Sequence, residues 1–509
     1  MKKMKHAKKL ASLLMALVMV LGMSVGTTVT AFAANTNSHT ITITNDKSGH
    51  TYTAYQVFAG DISNGKLTNI VWGSGVDGDA LLAALKTLES SPYASCNSAE
   101  AVADVLAGFE NDSAQLDAFA KVVGAHLATA AGTSTQTGSP YTISVTGDGY
   151  YFVKDTGSLG ENDAATKYIL KVVENVSVAA KAETPSIDKV IVNADSANGG
   201  EGKGTAQDVG SVVNFKLTSK VPAMDGYDTY TYIVNDTMSD GLTAVDKDND
   251  GKIDVTVTID GDTYTDFTVA QDGQSFTITF NNFINQKANA GKDIVITYSA
   301  TINEKALTTD KETNTVNLEY SNNPNDNTSK GKTPDRIVYV YDFDIVIDKY
   351  TGNEATGTRL AGAEFILYKM DGQNKLYYKY NTTNKKVEWV AEAEATKVVT
   401  DENGFASFKG LDSGTYYLHE TQAPAGYNLL QGDVTVTITA TYGNDGKITS
   451  SSATSANNGQ YQQVQKIENK SGATLPSTGG MGTTLLYIIG AILVVGAGVL
   501  LVARRRMHS

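Results

Sequence analysis

One cysteine, Cys96, stands in 509 residues. A single thiol excludes any disulfide within the chain, so a thin extended architecture would need another covalent staple or a large core. Cys96 itself reads as a partly buried, inert thiol. The six histidines show no metal-ligand spacing such as His-Glu-x-x-His, which removes the commonest zinc chemistry. A dinucleotide fingerprint, a phosphate-binding loop, a nucleophile elbow and a Ser/His/Asp constellation are also missing. Basic charge is scarce, with 41 Lys and Arg against 55 Asp and Glu. Neither a hydrolase nor a nucleic-acid binder is supported.

What is present begins at the two ends. Lys2, Lys3, Lys5, Lys8 and Lys9 precede an apolar run over 10–21, and Ala31-Phe32-Ala33 supplies small residues for a peptidase. This is the layout of a secretory signal peptide over 1–33, with Ala34 as the mature start. At the other end, residues 483–503 carry no charge and are followed by Arg504-Arg505-Arg506. About 20 apolar residues cross a bilayer, and trailing arginines stay on the cytoplasmic side. Everything before the run is therefore expected outside the cell. Removing the five leader lysines and the three tail arginines from the formal −14 leaves −22 over 34–478, a balance that favours solubility and opposes self-association.

The mature chain is long enough for about three domains of ~150 residues. It reads as strands and turns. Thr40-Ile41-Thr42-Ile43-Thr44, Val255-Thr256-Val257-Thr258-Ile259 and Val434-Thr435-Val436-Thr437-Ile438 alternate with period two, as half-buried strands do. Asn, Asp and Gly clusters separate such runs. Between 79 and 131 the period changes: Leu81, Leu82, Leu85 and Leu88, then Leu116, Phe119, Val122 and Val123, recur at helical spacing. Polar, turn-rich stretches near 182–185 and 322–335 mark boundaries. The expected domains are 34–182, 183–335 and 336–470, with a tether, anchor and tail over 471–509. Many short strands with regular turns predict an all-β chain of tandem immunoglobulin-like sandwiches, the first with inserted helices.

Leu475-Pro476-Ser477-Thr478-Gly479, placed just before the apolar run and basic tail, resembles the Leu-Pro-X-Thr-Gly sorting signal read by Gram-positive sortases. Tyr417-Leu418-His419-Glu420-Thr421-Gln422-Ala423-Pro424-Ala425-Gly426-Tyr427 resembles the E-box of sortase-assembled pilins. Leu360-Ala361-Gly362-Ala363-Glu364-Phe365-Ile366-Leu367-Tyr368 is similar to the second strand of the same collagen-adhesin B-type domain. With these stretches in order, the chain is identified as resembling an LPXTG-anchored backbone pilin. The resemblance implies a structural shaft subunit, a sortase substrate rather than an enzyme with turnover. It implies cleavage between Thr478 and Gly479, and internal Lys–Asn isopeptide bonds that form spontaneously.

In the third domain the resemblance makes Lys349 and Asn469 the bonded pair and Glu420 the acid. Alternation agrees, because Ile345, Ile347 and Lys349 share one strand face, and Ile467 shares one with Asn469. Burial would disfavour a charged ammonium and a charged carboxylate, leaving a neutral nucleophile and a proton donor. Fixed placement would supply the effective molarity of an otherwise slow condensation. In the middle domain, Pro185-Ser186-Ile187-Asp188-Lys189 and Asp236-Thr237-Met238-Ser239-Asp240 resemble the corresponding pilin stretches. Lys189 is taken as nucleophile, Asp236 as acid and Asn322 as amide. Val316, Leu318, Tyr320 and Asn322 share a face; Asn314, on that same face, is the reserve.

Backbone pilins carry a further, exposed lysine near the end of the first domain, which resolves the sortase thioester. Lys181 in Val178-Ala179-Ala180-Lys181 occupies that position, although the usual Tyr-Pro pair before it is missing. The implied partners are pilus-class and housekeeping sortases, other copies of the chain, minor pilins and peptidoglycan, with room for a host ligand. A wall-anchored adhesin or minor pilin that never polymerises is the alternative. In the first domain Lys47 and Asn175 lack a contextual acid, and no bond is expected. No cofactor is called for. Asp246, Asp248, Asp250 and Asp254 begin like a calcium loop, but Val257 stands where that loop has Glu, so a polar hairpin turn is preferred.

Overall fold

The computed structural model describes residues 37–506 apart from 112, 166–168, 173–174, 181–183, 195–199, 457–458 and 473–480. The signal-peptide, Lys181 and Leu475–Gly479 expectations lie outside the described residues. The chain forms two compact units, 1–341 with 441–450, and 342–440 with 451–509.

In the first unit, strand Ser38–Thr44 lies between Tyr141–Thr146 and a parallel partner, Val176–Ala179. A second sheet is built on Tyr52–Ser63 and Gly149–Asp155. The change of period noted in the sequence corresponds to helices Gly78–Lys86, Ala99–Ala107 and Ala114–Ala125. Each starts where an oxygen side chain can satisfy a free backbone N–H: Asp77 accepts from Ala80, Ser98 from Ala101 and Ser113 from Leu116. Leu81, Leu85, Phe119 and Val123 bury the helical faces against Phe58 and Phe152. Cys96 is buried in the same cluster, and burial pushes its thiol pKa up, as expected of an inert thiol.

Apart from a separate two-stranded sheet of Ala440–Tyr442 and Ile448–Ser451, most of the remainder of this unit is a pair of seven-stranded sheets. One runs through Ile187–Ala194, Val212–Lys220 and Asp293–Ile302; the other through Arg336–Tyr341, Glu312–Ser321, Tyr232–Met238 and Ser275–Phe280. The period-two pattern turns Phe215, Leu217, Ile294 and Ile296 inward from the first, and Val234, Ile278, Val316 and Leu318 from the second, all buried. Burying such side chains contributes about 1.5–3 kcal/mol each. The expected boundary at 335 falls before the unit break after Tyr341. Arg336–Tyr341 is a strand of this sandwich, paired with Glu312–Ser321, so the turn-rich stretch ahead of it is an internal loop.

The second unit packs a five-stranded sheet centred on Phe343–Thr351 with a six-stranded sheet centred on Glu364–Asp371 and Gly414–Gln422. Its opening strand, Phe343–Thr351, and its last, Tyr461–Glu468, are parallel neighbours with Lys349 opposite Ile467. At the C-terminus lies helix Met481–Arg506, whose described side chains from Leu486 to Leu501 are all exposed. Among the described residues no helix is long and apolar enough to cross a membrane.

Candidate functional site

Two buried lysines define two sites, one in each unit. Lys189 and Lys349 are both fully buried. A lone ammonium in such a place is costly, so each must be paired or neutral.

Lys349 comes from the opening strand of the second unit, on the face carrying Ile345 and Ile347. Glu420 comes from the facing sheet, in strand Gly414–Gln422. Asn469 follows the last strand, held by its N–H to the carbonyl of Tyr350 at 2.9 Å. The carboxylate bridges the other two groups: Lys349 Nζ lies 3.1 Å from Glu420 Oε1, and Asn469 Nδ2 donates to Glu420 Oε2 at 3.3 Å. Two backbone contacts fix the arrangement. Asn469 Nδ2 also donates to the carbonyl of Asn428 at 2.8 Å, and Leu430 N–H donates to Glu420 Oε2 at 2.8 Å. The turn after the E-box thus aims both acid and amide. Lys349 Nζ, Glu420 Oε1 and Asn469 Oδ1 are buried without a well-angled hydrogen bond, a costly clustering at about 1–3 kcal/mol per unmet group. Burial lowers the pKa of Lys349, against the opposing pull of Glu420. All three residues expected here are brought together.

In the middle domain, Lys189 projects from the first sheet, opposite Leu217. Asp236 and Asn314 project from the second, where Asp236 pairs with Val316 and Met238 with Asn314. Lys189 Nζ donates to Asp236 Oδ2 at 2.8 Å and to Asn314 Oδ1. A link here would staple one sheet to the other, whereas the third-domain pair lies within one sheet. Burial lowers the Lys189 pKa to about 8, with Asp236 pulling the other way. Burial raises the pKa of Asp236, partly offset by Lys189 and by hydrogen bonds. Both shifts favour the uncharged amine beside the protonated acid. The rings of Phe215 and Tyr298 lie 5.4 and 5.6 Å from Lys189 Nζ and wall the site.

The amide at this site is Asn314, and Asn322, preferred from the sequence, is elsewhere. Asn322 is buried, but its Oδ1 accepts from Ser329 Oγ at 2.7 Å and its carbonyl accepts from Ala165 N–H at 2.7 Å. Alternation puts Asn314 and Asn322 on one face, yet eight residues of strand separate them by roughly 26 Å. Tyr298 was not anticipated at all. Its hydroxyl donates to Asp236 Oδ2 at 2.6 Å and accepts from Asn314 Nδ2 at 3.1 Å. The available signal was a polar tip in the inward row Ile294, Ile296, Tyr298, Ala300 and Ile302.

The remaining expectations divide. Asp246, Asp248 and Asp250 each bring a carboxylate oxygen within 4.8 Å of the others. Those oxygens already accept from the turn's own backbone at Asp250, Gly251 and Lys252, and Asp254 accepts from Lys247 N–H. The strands on either side, Leu242–Ala244 and Thr256–Ile259, both pair with Asp293–Ile302 and not with each other, so the segment is a self-capped polar loop and not the expected hairpin turn. In the first domain Lys47 is half-buried and Asn175 exposed, so neither is held in a dry core.

Three family models match parts of the chain. Residues 209–324 match the family model described as Gram-positive pilin backbone subunit 2, Cna-B-like domain. Residues 344–454 match a SpaA prealbumin-like fold domain, and 467–509 the LPXTG cell wall anchor motif. The trypsin-resistant surface T6 protein of Streptococcus pyogenes serotype M6 is 25% identical over 422 residues, covering 68% of this chain and 74% of that protein. The structure of the T6 backbone pilin of that serotype superposes with a TM-score of 0.51 at 20% identity, over 79% of this chain and 80% of that one. The major pilin SpaD of Corynebacterium diphtheriae superposes with a TM-score of 0.48 at 16% identity, over 86% and 98%.

Proposed function

The chain belongs to the LPXTG-anchored backbone pilins of Gram-positive bacteria, and from that premise we propose that it is welded internally by two Lys–Asn isopeptide bonds and joined to its neighbours through Thr478 and Lys181. It is a structural shaft subunit, a sortase substrate exported to the cell surface and anchored in the wall. Sortases and other pilin subunits are its partners.

The observation that carries the internal bonds is the burial of two lysines, Lys189 against Asp236 and Asn314, and Lys349 against Glu420, whose carboxylate also receives the carboxamide of Asn469. In the third domain Lys349 Nζ attacks Cγ of Asn469 and Glu420 passes the proton to the departing nitrogen. In the middle domain Lys189 attacks Asn314 with Asp236 as the acid. Each event expels one ammonia and occurs once, so the chain is its own reagent rather than a catalyst with turnover. Position supplies most of the acceleration, since amine and amide share a dry, fixed site. The products close each sandwich covalently, which a chain with one cysteine cannot do by disulfides.

The intermolecular link needs the opposite environment. A pilus-class sortase would cut after Thr478 and hold the acyl group as a thioester, and an accessible Lys181 of the next subunit would resolve it. A housekeeping sortase would pass the finished polymer to peptidoglycan, with minor pilins as further substrates. Co-expression with a pilus-class sortase and denaturing electrophoresis tests this. The parent should give a ladder and Lys181→Arg a single band. A ladder from Lys181→Arg would discard that lysine, and no ladder from the parent would favour a non-polymerising adhesin.

A further inference from the structure

Resting on the middle-domain bond proposed above, we infer that Tyr298 is a catalytic residue of that reaction, the proton relay between Asp236 and the leaving nitrogen of Asn314. Four side chains form a closed ring of hydrogen bonds. Lys189 Nζ donates to Asp236 Oδ2, Tyr298 Oη donates to the same oxygen, Asn314 Nδ2 donates to Tyr298 Oη, and Lys189 Nζ donates to Asn314 Oδ1. Among the described residues Asp236 accepts only from Lys189 and Tyr298, and its Oδ1 has no partner. The acid therefore makes no hydrogen bond to the nitrogen it must protonate. The phenol stands between them.

The third domain shows what the phenol replaces. There Glu420, one methylene longer than Asp, meets Asn469 Nδ2 itself at 3.3 Å. In the middle domain the acid is Asp236, and Tyr298 spans the gap with contacts of 2.6 and 3.1 Å. Tyr298 is also held rigidly. Its ring stacks on Phe215 at 5.3 Å and meets Phe276 edge-on at 5.1 Å, and only 4% of the residue is exposed. A positioned hydroxyl with no access to bulk water can pass a proton only along the ring.

The step balances. The uncharged Nζ of Lys189 attacks Cγ of Asn314, and an Nζ–Cγ bond forms. Nδ2 becomes tetrahedral and gains a lone pair, so its hydrogen bond with Tyr298 reverses. Tyr298 gives its proton to Nδ2 and takes the proton of Asp236. The Cγ–Nδ2 bond breaks and ammonia departs. Nζ releases one proton to Asp236, which restores both acid and phenol.

The test uses the soluble segment 34–474, made in a cell-free reaction and sampled over time. Tryptic peptides joining Lys189 to Asn314 are counted against those joining Lys349 to Asn469 in the same sample. Tyr298→Phe keeps the ring and its stacking. It should slow the middle-domain link by about a hundredfold and leave the third-domain link unchanged. An unchanged middle-domain rate in Tyr298→Phe would overturn the relay while leaving the bond in place. Absence of the Lys189–Asn314 link from the parent would overturn the underlying bond instead. Should Tyr298→Phe lose protease resistance in this domain, 2,3,5-trifluorotyrosine at position 298 decides. A more acidic phenol of the same shape should shift the pH profile of the middle-domain rate, and an unmoved profile overturns the relay.

Discussion

Lys349 Nζ and Glu420 Oε1 lie 3.1 Å apart, and neither side chain has any exposure to solvent. An ion pair so placed gains little over two well-packed apolar groups, and removing one partner alone is strongly unfavourable. Its value here lies in reactivity rather than in stability. Burial lowers the lysine pKa, and the same carboxylate holds the amide nitrogen of Asn469.

The first prediction follows from that bridge. Glu420→Ala should leave the third domain unlinked, and the intact mass of segment 34–474, compared with the mass of its own sequence, should fall short by one ammonia less than the parent does. Losing the link also returns chain entropy to the unfolded state. By loop-closure reasoning that costs about 5 kcal/mol, a fall on the order of 15 °C in the melting of this domain. An equal shortfall from the sequence mass in parent and variant would remove Glu420 from the chemistry.

A second prediction separates two asparagines. Asn314→Ala should abolish the link to Lys189, because the carboxamide that Lys189 reaches is gone. Asn322→Ala should leave the link intact, since among the described residues that side chain receives the hydroxyl of Ser329 and makes no hydrogen bond to Lys189. Tandem mass spectrometry of the cross-linked peptide identifies the residue directly. Recovery of Asn322 in the bonded peptide would contradict the geometry described above.

The difference between these asparagines shows where sequence reasoning stops. Alternation in Glu312–Ser321 tells which side chains point inward, because the strand period is two. It carries nothing about which inward position a distant lysine will meet, since that depends on how two sheets are staggered. Lys349, Glu420 and Asn469 were legible because the parallel neighbours are the first and last strands and the E-box marks the acid. Tyr298 was hidden, as buried tyrosines are common in strands and their hydroxyls pair with many things. The boundary at 335 failed for a similar reason. A polar loop inside a sandwich looks like a linker until the strand after it is seen to pair back.

The third prediction concerns pH. His50 is fully buried between Asp155 at 2.6 Å and Asp163 at 3.2 Å, with the rings of Tyr52 and Tyr141 against it. Burial alone would lower its pKa, but the hydrogen bonds and charges of Asp155 and Asp163 outweigh that and raise it above 6.5. A raised folded pKa means stability that is fully present below the unfolded value and lost as pH rises through the folded one. The first domain should therefore lose stability from about pH 6.5 upward. His50→Gln should flatten that slope. Thermal unfolding and hydrogen exchange over 156–165, followed from neutral to mildly alkaline pH, would show it. A parent whose first domain grows more stable across that window would refute the assignment.

The last prediction ties packing to the rate of cross-linking. Glu312 is buried and accepts from Gly241 N–H at 2.8 Å and from the hydroxyls of Ser239 and Thr309. A Cβ on Gly241 would meet Glu312 Cδ at 2.2 Å, too close for any real contact. Gly241→Ala must therefore push Glu312 away, strand its carboxylate among buried donors and shift the start of strand Glu312–Ser321. The expected loss of stability is about 1–3 kcal/mol. Asn314 lies two residues along that strand, and its amide must be held against Lys189 for the condensation to proceed. Misplacement by about 1 Å can cost a hundredfold in rate. Gly241→Ala should thus delay the Lys189–Asn314 link by much more than it lowers the melting temperature would suggest, and leave the Lys349–Asn469 link untouched. Time-resolved peptide mapping of both links in one sample measures this. A normal rate in a visibly destabilised middle domain would mean that cross-linking tolerates looser placement of the amide than the buried ring of contacts implies.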